Sequence, residues 1–195
     1  MMKVVTIMGV AGACRGDELH KMKLKDVECD KENVAVVNIK ESKNNMLRRF
    51  VVSNSADSQV DYLKLLRDYI KLRPRNAQDE RLFYRYERGR CVNQVVGKHT
   101  IAKVPYEIAR FLKLEEANMY TGHSFRRTSA TLLANASGTD ILDLKRHGGW
   151  KSGTVAEGYR SESITNKIQV ANKILHGNGD TEDNTKAQVF CDEIQ

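Results

Sequence analysis

Cysteine is scarce in this sequence, and its few cysteines form no metal-binding or disulfide pattern. The 195 residues include four, Cys14, Cys29, Cys91 and Cys191, which lie far apart, with no CxxC pair and no histidine at ligand spacing. Structural zinc sites and disulfide frameworks both rest on closely spaced cysteines. The pattern therefore predicts free thiols in a reducing compartment, with neither a zinc site nor a disulfide-stabilised fold.

Long apolar runs are missing as well. No segment approaches the roughly 20 apolar residues that a membrane-spanning helix needs. The opening MMKVVTIMGVAGAC has neither the basic start nor the long apolar middle of a secretion signal. Internal repeats and low-complexity segments are absent too. We therefore expect an intracellular protein with one globular domain, for which 195 residues of 41% hydrophobic content suffice.

Positive charge is what the sequence has in excess. The last 20 residues hold five acidic side chains and one Lys, so residues 1–175 carry 31 basic against 20 acidic residues, a net charge of +11. A basic surface favours a polyanionic partner, since each cation placed on a phosphate releases condensed counterions. Taken alone, however, the charge fits a merely soluble basic protein as well as a nucleic-acid-binding one.

Hydrophobic spacing predicts a mainly α-helical domain with a small antiparallel β-sheet, an α+β fold. Helices are expected over residues 2–12, 17–25, 57–72, 105–114, 123–136, from Thr139 or Asp140 to the Gly148–Gly149 pair, and from Ser163 onward. Pro105 is expected in the first turn of its helix, because proline lacks the N–H group that interior positions donate.

Two β-branched runs, residues 34–40 and 48–53, flank the polar segment ESKNNML. This pattern predicts a β-hairpin with Lys43 at its tip or shoulder. LFYRY, residues 82–86, predicts a further short strand. The Gly-, Asp-, Glu- and Asn-rich tail from Gly177 onward is expected to be disordered.

One segment mixes basic and aromatic side chains in a way that neither a solvated helix nor a small core explains. It is HSFRRTSATLLANASGTDILDLKRHGGWKSGTVAEGYR, from His123 to Arg160. A solvated basic helix would account for its arginines, and a core would account for its Leu and Ile positions. His123, Trp150 and Tyr159 need another explanation.

Six residues, in order along the chain, resemble the active-site set of the tyrosine recombinases, the phage integrase family. They are Arg15 in GACRGDEL, Lys43 in the hairpin, His123 and Arg126 in HSFRR, Trp150 in GGW, and Tyr159. Each fragment alone occurs by chance, but the order and the nine-residue step from Trp150 to Tyr159 match the family. The resemblance covers residues 3–175. The GGW context is similar to Cre-type phage recombinases, and the pattern also resembles eukaryotic Crypton-type elements.

The resemblance implies a site-specific recombinase or integrase that breaks and rejoins DNA strands. Tyr159 would be the nucleophile, and the resulting 3′-phosphotyrosyl bond keeps the bond energy, so that religation needs no ATP, metal or other cofactor. Arg15 and Arg126 would clamp the scissile phosphate, because a guanidinium is permanently charged and can bind two oxygens at once.

Three further residues complete the implied site. His123 would donate to the phosphate or take the nucleophile's proton, since its pKa lies near neutrality. Lys43 would protonate the departing 5′ oxygen, with Lys40 as its nearby competitor. Trp150 would pack beside the phosphate and donate its indole N–H, where many relatives have His.

Each of these residues also has a structural interpretation when taken alone. Arg15 fits a surface charge on a turn, Lys43 fits a solvated lysine that guards a sheet edge, and the aromatic residues fit core anchors. Two neighbours are second choices for the site. Arg127 is interpreted as a backbone-phosphate or structural residue, and His147 as a cation at a helix end, near its partial negative charge.

Full-length members of the family carry an N-terminal helical domain that completes a clamp on DNA, whereas only fourteen residues precede Arg15 here. We therefore expect a catalytic domain at residues 1–175, without that clamp domain, and an acidic tail at residues 176–195. The expected partner is double-stranded DNA, and the resemblance implies self-association on DNA through the helix after Tyr159. The location would be the nucleus in a eukaryote, and the cytoplasm or nucleoid in a prokaryote.

Two alternatives accompany this hypothesis. One is a catalytically idle or domesticated DNA-binding or oligomerising domain that descends from a recombinase. All six expected positions are filled by chemically competent side chains, which argues against it. The other is a type IB topoisomerase, which shares the chemistry, although the HSFRR and GGW contexts look more like those of recombinases.

Overall fold

The computed structural model describes residues 1–31, 33–40, 47–55 and 59–176. Over these ranges the chain forms helices and two small antiparallel sheets. The elements in chain order are α1 (Met2–Ala11), α2 (Gly16–Lys21), β1 (Val27–Lys31), β2 (Val34–Ile39), β3 (Arg48–Ser53), α3 (Tyr62–Lys71), β4 (Tyr84–Glu87), β5 (Arg90–Val95), α4 (Lys98–Phe111), α5 (Ser124–Asn135), α6 (Ile141–Gly148), α7 (Thr154–Glu162) and α8 (Ile164–His176). The predicted α+β fold class is confirmed.

The first sheet has the strand order β1-β2-β3. In its antiparallel β2–β3 pair, Val37 faces Phe50 and Ile39 faces Arg48. One face of this pair is buried, because alternate side chains of both strands point into the core. The two strands of the predicted hairpin are therefore confirmed. Lys43 belongs to the connection, residues 41–46, which lies outside the described residues.

The second sheet is the β4–β5 hairpin, of which the sequence predicted only the first strand. Arg88 and Gly89 make its turn, both with positive φ, +48° and +87°. Two successive left-handed residues suit a tight hairpin, because their twist matches that of the flanking strands. A left-handed arginine gives no turn signal in sequence, which is why β5 was not predicted.

Two groups of buried side chains hold the domain together. The larger packs α1, α3 and α4 around the first sheet, with Met8, Leu66 and Val37 fully buried. The smaller lies among α5, α6 and α7 and contains Leu144 and Trp150. The α1–α2 turn and the start of β3 face this smaller group, so the candidate site forms where the two groups meet.

Pro105 corrects one of the predicted boundaries. It lies in the interior of α4, which begins at Lys98, and not in a first turn. A proline inside a helix costs about 3 kcal/mol, because one backbone hydrogen bond is lost. The buried residues Ile101, Val104, Pro105 and Ala109 follow helical spacing, so the apolar stripe starts before the proline and its burial offsets that cost.

Other sequence expectations have mixed outcomes. The second predicted helix is shorter than expected, ending at Lys21, and α7 was not predicted as a separate helix. Asp140 caps α6 as predicted, with its side chain accepting from the Asp143 amide. Among the described residues, Cys14, Cys29 and Cys91 are in no disulfide bond, and Cys191 lies outside the described residues. In the described part of the chain, no helix has the length and apolar character to cross a membrane.

Candidate active site

Arg15 lies at the turn between α1 and α2, as predicted, and the buried carboxylate of Glu18 fixes it there. The Arg15 backbone N–H donates to Oε2 of Glu18 at 2.8 Å, and its Nη1 donates to Oε1 at 3.1 Å. Glu18 is only 3% exposed. A buried carboxylate requires cations and N–H donors around it, so the position of Arg15 is well defined.

Arg126 is a buried arginine on α5, 6% exposed. Its Nη1 donates to the carbonyl of Ala13 at 2.9 Å, and its Nη2 donates to the carbonyl of Gly148. Burial, together with the positive charges of Arg15 and Arg48, lowers the pKa of Arg126 to about 10. The guanidinium therefore remains protonated at neutral pH, and it lies near Arg15 although 111 positions separate the two in sequence.

Trp150 and Tyr159 stack on each other beside Arg126. Gly149 ends α6 in the left-handed conformation, φ +60°, and directs the chain so that Trp150 packs back onto the helix. The centroids of the Trp150 and Tyr159 rings are 5.5 Å apart, and the two ring planes are inclined by 18°. The Cζ atom of Arg126 lies 4.9 Å from the centroid of the Trp150 ring. The Tyr159 hydroxyl makes no hydrogen bond with the described residues.

His123 lies one helical turn before Arg126, as the residue that precedes α5. Positions three apart share a face of a helix. The imidazole is exposed and makes no hydrogen bond within the described parts of the chain. The His123 imidazole therefore lies near Arg126 in sequence, and it is exposed to a ligand.

The two candidate lysines differ in what can be said of them. Lys43 lies outside the described residues. Lys40, its competitor, follows β2 with an exposed side chain, and its amine lies 3.3 Å from Oδ1 of the buried Asp26. This ion pair holds the Lys40 amine on Asp26, and both residues line a cavity that Glu18 also lines.

The site contains several positively charged side chains around one carboxylate. Arg15, Arg48 and Arg126 lie near each other, and Glu18 is the acidic group among them. Fixed cations in a partly buried position attract an oxyanion more strongly than the same charges do in water. The arrangement suits the binding of an anion.

A sequence model of the phage integrase family matches residues 2–165, most of the chain. The chain belongs to the phage integrase family. Among curated protein sequences, none matches it significantly.

Solved recombinase structures share this phage integrase fold. XerH site-specific recombinase in a post-cleavage complex is 18% identical, with 87% of this chain and 44% of that chain covered and a TM-score of 0.66. XerA recombinase is 18% identical, with 89% and 62% covered and a TM-score of 0.63. The Tn1549 transposon integrase is 16% identical, with 88% and 58% covered and a TM-score of 0.62. This chain thus spans 44% to 62% of the length of these structures.

Sequence reasoning missed two charged residues of this candidate site, Glu18 and Arg48. The Arg48 side chain is 7% exposed, and its Nη2 donates to Oε2 of Glu18 at 2.7 Å. A signal for Arg48 was present in the alternation of β3. Phe50 and Val52 point inward, and a residue two positions before Phe50 shares their face. Glu18 stands in RGDEL, one turn from Arg15, but was given no role.

His147 corrects the interpretation of a helix-end cation. Burial, and then the positive charges of Arg48 and Arg126, lower the pKa of its imidazole below the ordinary 6.5, so it is neutral at neutral pH. Its Nε2 lies 2.7 Å from the hydroxyl of Ser129, an atom pair in which either partner can donate, depending on the tautomer. His147 therefore links α6 to α5 as a neutral residue. Arg127, the other second choice, is exposed on α5.

We expect this neutral histidine to make the fold sensitive to acid. Below pH 6.5 the unfolded chain protonates His147 before the folded one does, so the stability present above that pH is lost as the pH falls. His147→Gln keeps a donor and acceptor for Ser129 but cannot titrate. From pH 7 to 5.5, the unfolding free energy of His147→Gln should fall less than that of the parent. The difference between the two proteins should grow by at most about 1.4 kcal/mol per pH unit, which is the limit for one proton.

Urea unfolding at several pH values measures this difference. His99→Gln, at an exposed histidine of α4, is the matched control and should follow the parent. The pKa of the Met1 amino group is also lowered by burial, but that group is common to all three proteins. Identical pH profiles for parent and His147→Gln would contradict the expectation.

Proposed function

We propose that this domain is the catalytic part of a site-specific DNA recombinase, which cleaves and rejoins strands through a 3′-phosphotyrosyl bond to Tyr159. One observation carries the proposal. The stacked Trp150–Tyr159 pair lies against Arg126, beside the cation Arg15, in a chain of the phage integrase family. A nucleophile next to fixed cations is the arrangement that phosphoryl transfer needs.

The two arginines are proposed to bind the nonbridging oxygens of the scissile phosphate. A guanidinium has five N–H donors, and Arg126 gives two of its nitrogens to the carbonyls of Ala13 and Gly148. Donors therefore remain for an oxygen. Negative charge grows on those oxygens as Tyr159 attacks, so the cations stabilise the transition state more than the ground state.

The proton transfers are assigned to the remaining residues. The Tyr159 oxygen attacks phosphorus and loses its proton, and the bond from phosphorus to the 5′ oxygen breaks, leaving DNA joined to the tyrosine by its 3′ phosphate. We assign the acceptance of the tyrosine proton, or a hydrogen bond to the phosphate, to His123. Lys43 is assigned the protonation of the 5′ oxygen, and Trp150 a hydrogen bond from its indole N–H to the phosphate. Attack by a 5′ hydroxyl reverses the sequence and rejoins the strand.

Double-stranded DNA is the proposed partner. Residues 1–175 carry the net charge of +11 that favours a polyanion. Similar structures were solved with DNA: XerH with its difH substrate, the Tn1549 integrase with a circular-intermediate DNA, and lambda integrase as a dimer on a core site. Part of this affinity is electrostatic, so binding should weaken steeply as salt is added.

Covalent attachment to DNA tests the proposal directly. The purified protein is incubated with a pool of nicked duplexes of randomised core sequence, and adducts that survive a denaturing gel are isolated and their DNA is sequenced. Cleavage releases the short strand between the cleavage site and the nick, which carries the new 5′ hydroxyl. Because this strand diffuses away, it cannot attack the phosphotyrosyl bond, and the covalent adduct accumulates. Protein that binds the pool but never forms an adduct would favour the idle DNA-binding alternative.

The helix after Tyr159 is proposed to mediate self-association on DNA. The residue that precedes it anchors this helix, α8, on α5, because the Ser163 hydroxyl donates to the carbonyl of Ala134 at 2.9 Å. Beyond that anchor α8 has no buried residue, and Ile168, Ile174 and Leu175 are 54%, 76% and 74% exposed. An apolar stripe that stays this exposed does not belong to the domain's own core. A second copy of the chain is the occupant that we propose for it.

We expect a charge on this stripe to prevent assembly without affecting folding. Ile168→Glu should leave the thermal unfolding midpoint within a few degrees of that of the parent, because no buried contact is lost. It should also abolish the complexes of more than one protomer on DNA carrying paired sites, measured by sedimentation. Gln169→Glu, which adds the same charge at the adjacent exposed position, is the control and should assemble. Unfolding of Ile168→Glu, or assembly equal to that of the control, would contradict the proposal.

A further inference from the structure

We propose that Arg48 is a positioning residue of this site, which keeps Arg15 available to the phosphate and fixes Arg126 and Trp150 relative to it. This inference rests on the proposed function. Arg48 opens β3, on a different element from every other residue of the site. Its guanidinium nevertheless reaches the α1–α2 turn, which leads to Arg15, and the last turn of α6, which leads to Trp150.

The hydrogen bonds of Arg48 connect the two halves of the site. Its Nη1 donates to the carbonyl of Gly12 at 2.8 Å, in the α1–α2 turn that leads to Arg15. The same nitrogen donates to the carbonyl of His147 at 2.7 Å, in the last turn of α6. Carbonyls at a helix C-terminus lack partners within the helix and carry partial negative charge, so a cation is favourable there.

Arg126 makes the same kind of connection one residue further along both segments. Its partners are the carbonyls of Ala13 and Gly148, the residues directly after Gly12 and His147. Two arginines from different elements thus bridge the same turn to the same helix end. Arg126 is assigned to the phosphate as well, whereas both terminal nitrogens of Arg48 bind groups of the protein, Nη1 two carbonyls and Nη2 the Glu18 carboxylate.

The effect of Arg48 on Arg15 is electrostatic and acts through Glu18. Oε2 of Glu18 accepts from Nη2 of Arg48 at 2.7 Å and from the backbone N–H of Arg15 at 2.8 Å. Oε1 of the same carboxylate accepts from Nη1 of Arg15 at 3.1 Å. With Arg48 present, two arginines therefore share one carboxylate, and a net positive charge remains for the phosphate. Without Arg48, Glu18 would cancel the charge of Arg15 and repel the phosphate.

Lysine cannot replace Arg48 in this arrangement. Its single amine would have to serve Gly12, His147 and Glu18 from one point, whereas the planar fork spreads its donors. Packing fixes the fork, since a Cβ built on Gly149 would lie 2.5 Å from the Arg48 Cδ. The side chain therefore lies directly against the turn that precedes Trp150.

The test measures the rate of covalent attachment to a nicked duplex selected by the parent protein. Arg48→Met, which keeps an unbranched side-chain stem but removes the guanidinium and its charge, should react about 100-fold more slowly, an effect that a misplacement of about 1 Å produces at an active site. Arg48→Lys should restore little of the rate. Arg49→Met is the matched control, because Arg49 is the exposed neighbour whose Nε donates to Asn38, and it should remain within threefold of the parent.

A neutral substrate separates this role from a loss of structure. When a methylphosphonate replaces the scissile phosphate, the linkage has no negative charge for Glu18 to repel, so the defect of Arg48→Met should shrink at least tenfold. Circular dichroism checks the fold, and Arg48→Lys serves in the comparison if Arg48→Met does not fold. An equal defect on both substrates, or Arg48→Met within threefold of the parent on phosphate, overturns the inference while the proposed function stands. A parent that forms no adduct on any duplex overturns the proposed function instead.

Discussion

Tyr159→Phe is expected to abolish the attachment of this protein to DNA while its fold and its noncovalent DNA binding persist. The change removes only the hydroxyl oxygen, which makes no hydrogen bond with the residues that the structure describes. The ring that stacks on Trp150 at 5.5 Å is retained. Loss of a covalent nucleophile lowers turnover by at least about 10⁴-fold in well-studied enzymes. No adduct should therefore appear in a denaturing gel.

The control for this experiment is another tyrosine near the start of α5. Tyr120 is 37% exposed and belongs to the short segment before His123. Tyr120→Phe should form the adduct at the parental rate, and both variants should shift DNA equally in a native gel. Mass spectrometry that places the DNA on Tyr120 or Ser124 would refute the assignment of the nucleophile.

Much of this site could be predicted from sequence because its side chains lie in short local patterns. His123 directly precedes the helix that contains Arg126, and one turn separates Trp150 from the helix that contains Tyr159, so spacing alone relates the members of each pair. The end of α6 at Gly149 could be predicted from sequence as well, since glycine adopts the left-handed conformation most readily. What brought the pairs together was the resemblance to the family. No local pattern relates Arg15 to Arg126.

The features that were missed depend on contacts between distant segments. Glu18 and Arg48 are charged residues, which are expected at the surface, and only the fold reveals that they are buried against each other. His147 was assigned a charge from its place at a helix end, but burial and two neighbouring arginines outweigh the helix dipole. In α4, the burial of a whole apolar face outweighed the local preference of Pro105.

Arg15→Ala and Arg126→Ala should both lower the rate of cleavage, but for reasons that their stabilities can separate. A charged donor on the reacting oxygens contributes about 10²–10³ in rate, so each variant should attach to DNA at least that much more slowly. Arg15 is partly exposed, 21% for its side chain, and Glu18 keeps Arg48 as a partner when it is removed. Arg15→Ala should therefore unfold at nearly the parental urea concentration.

Arg126→Ala should be destabilised as well as slow. Its removal leaves the buried carbonyls of Ala13 and Gly148 without their donor, and each buried polar group left unpaired costs about 1–3 kcal/mol. Arg127→Ala, at the adjacent exposed position, is the control for stability and should unfold at nearly the parental urea concentration. If Arg15→Ala formed the adduct at the parental rate while Arg126→Ala lost activity only in proportion to its unfolded fraction, the two arginines would be structural. The phosphate would then have to be bound elsewhere.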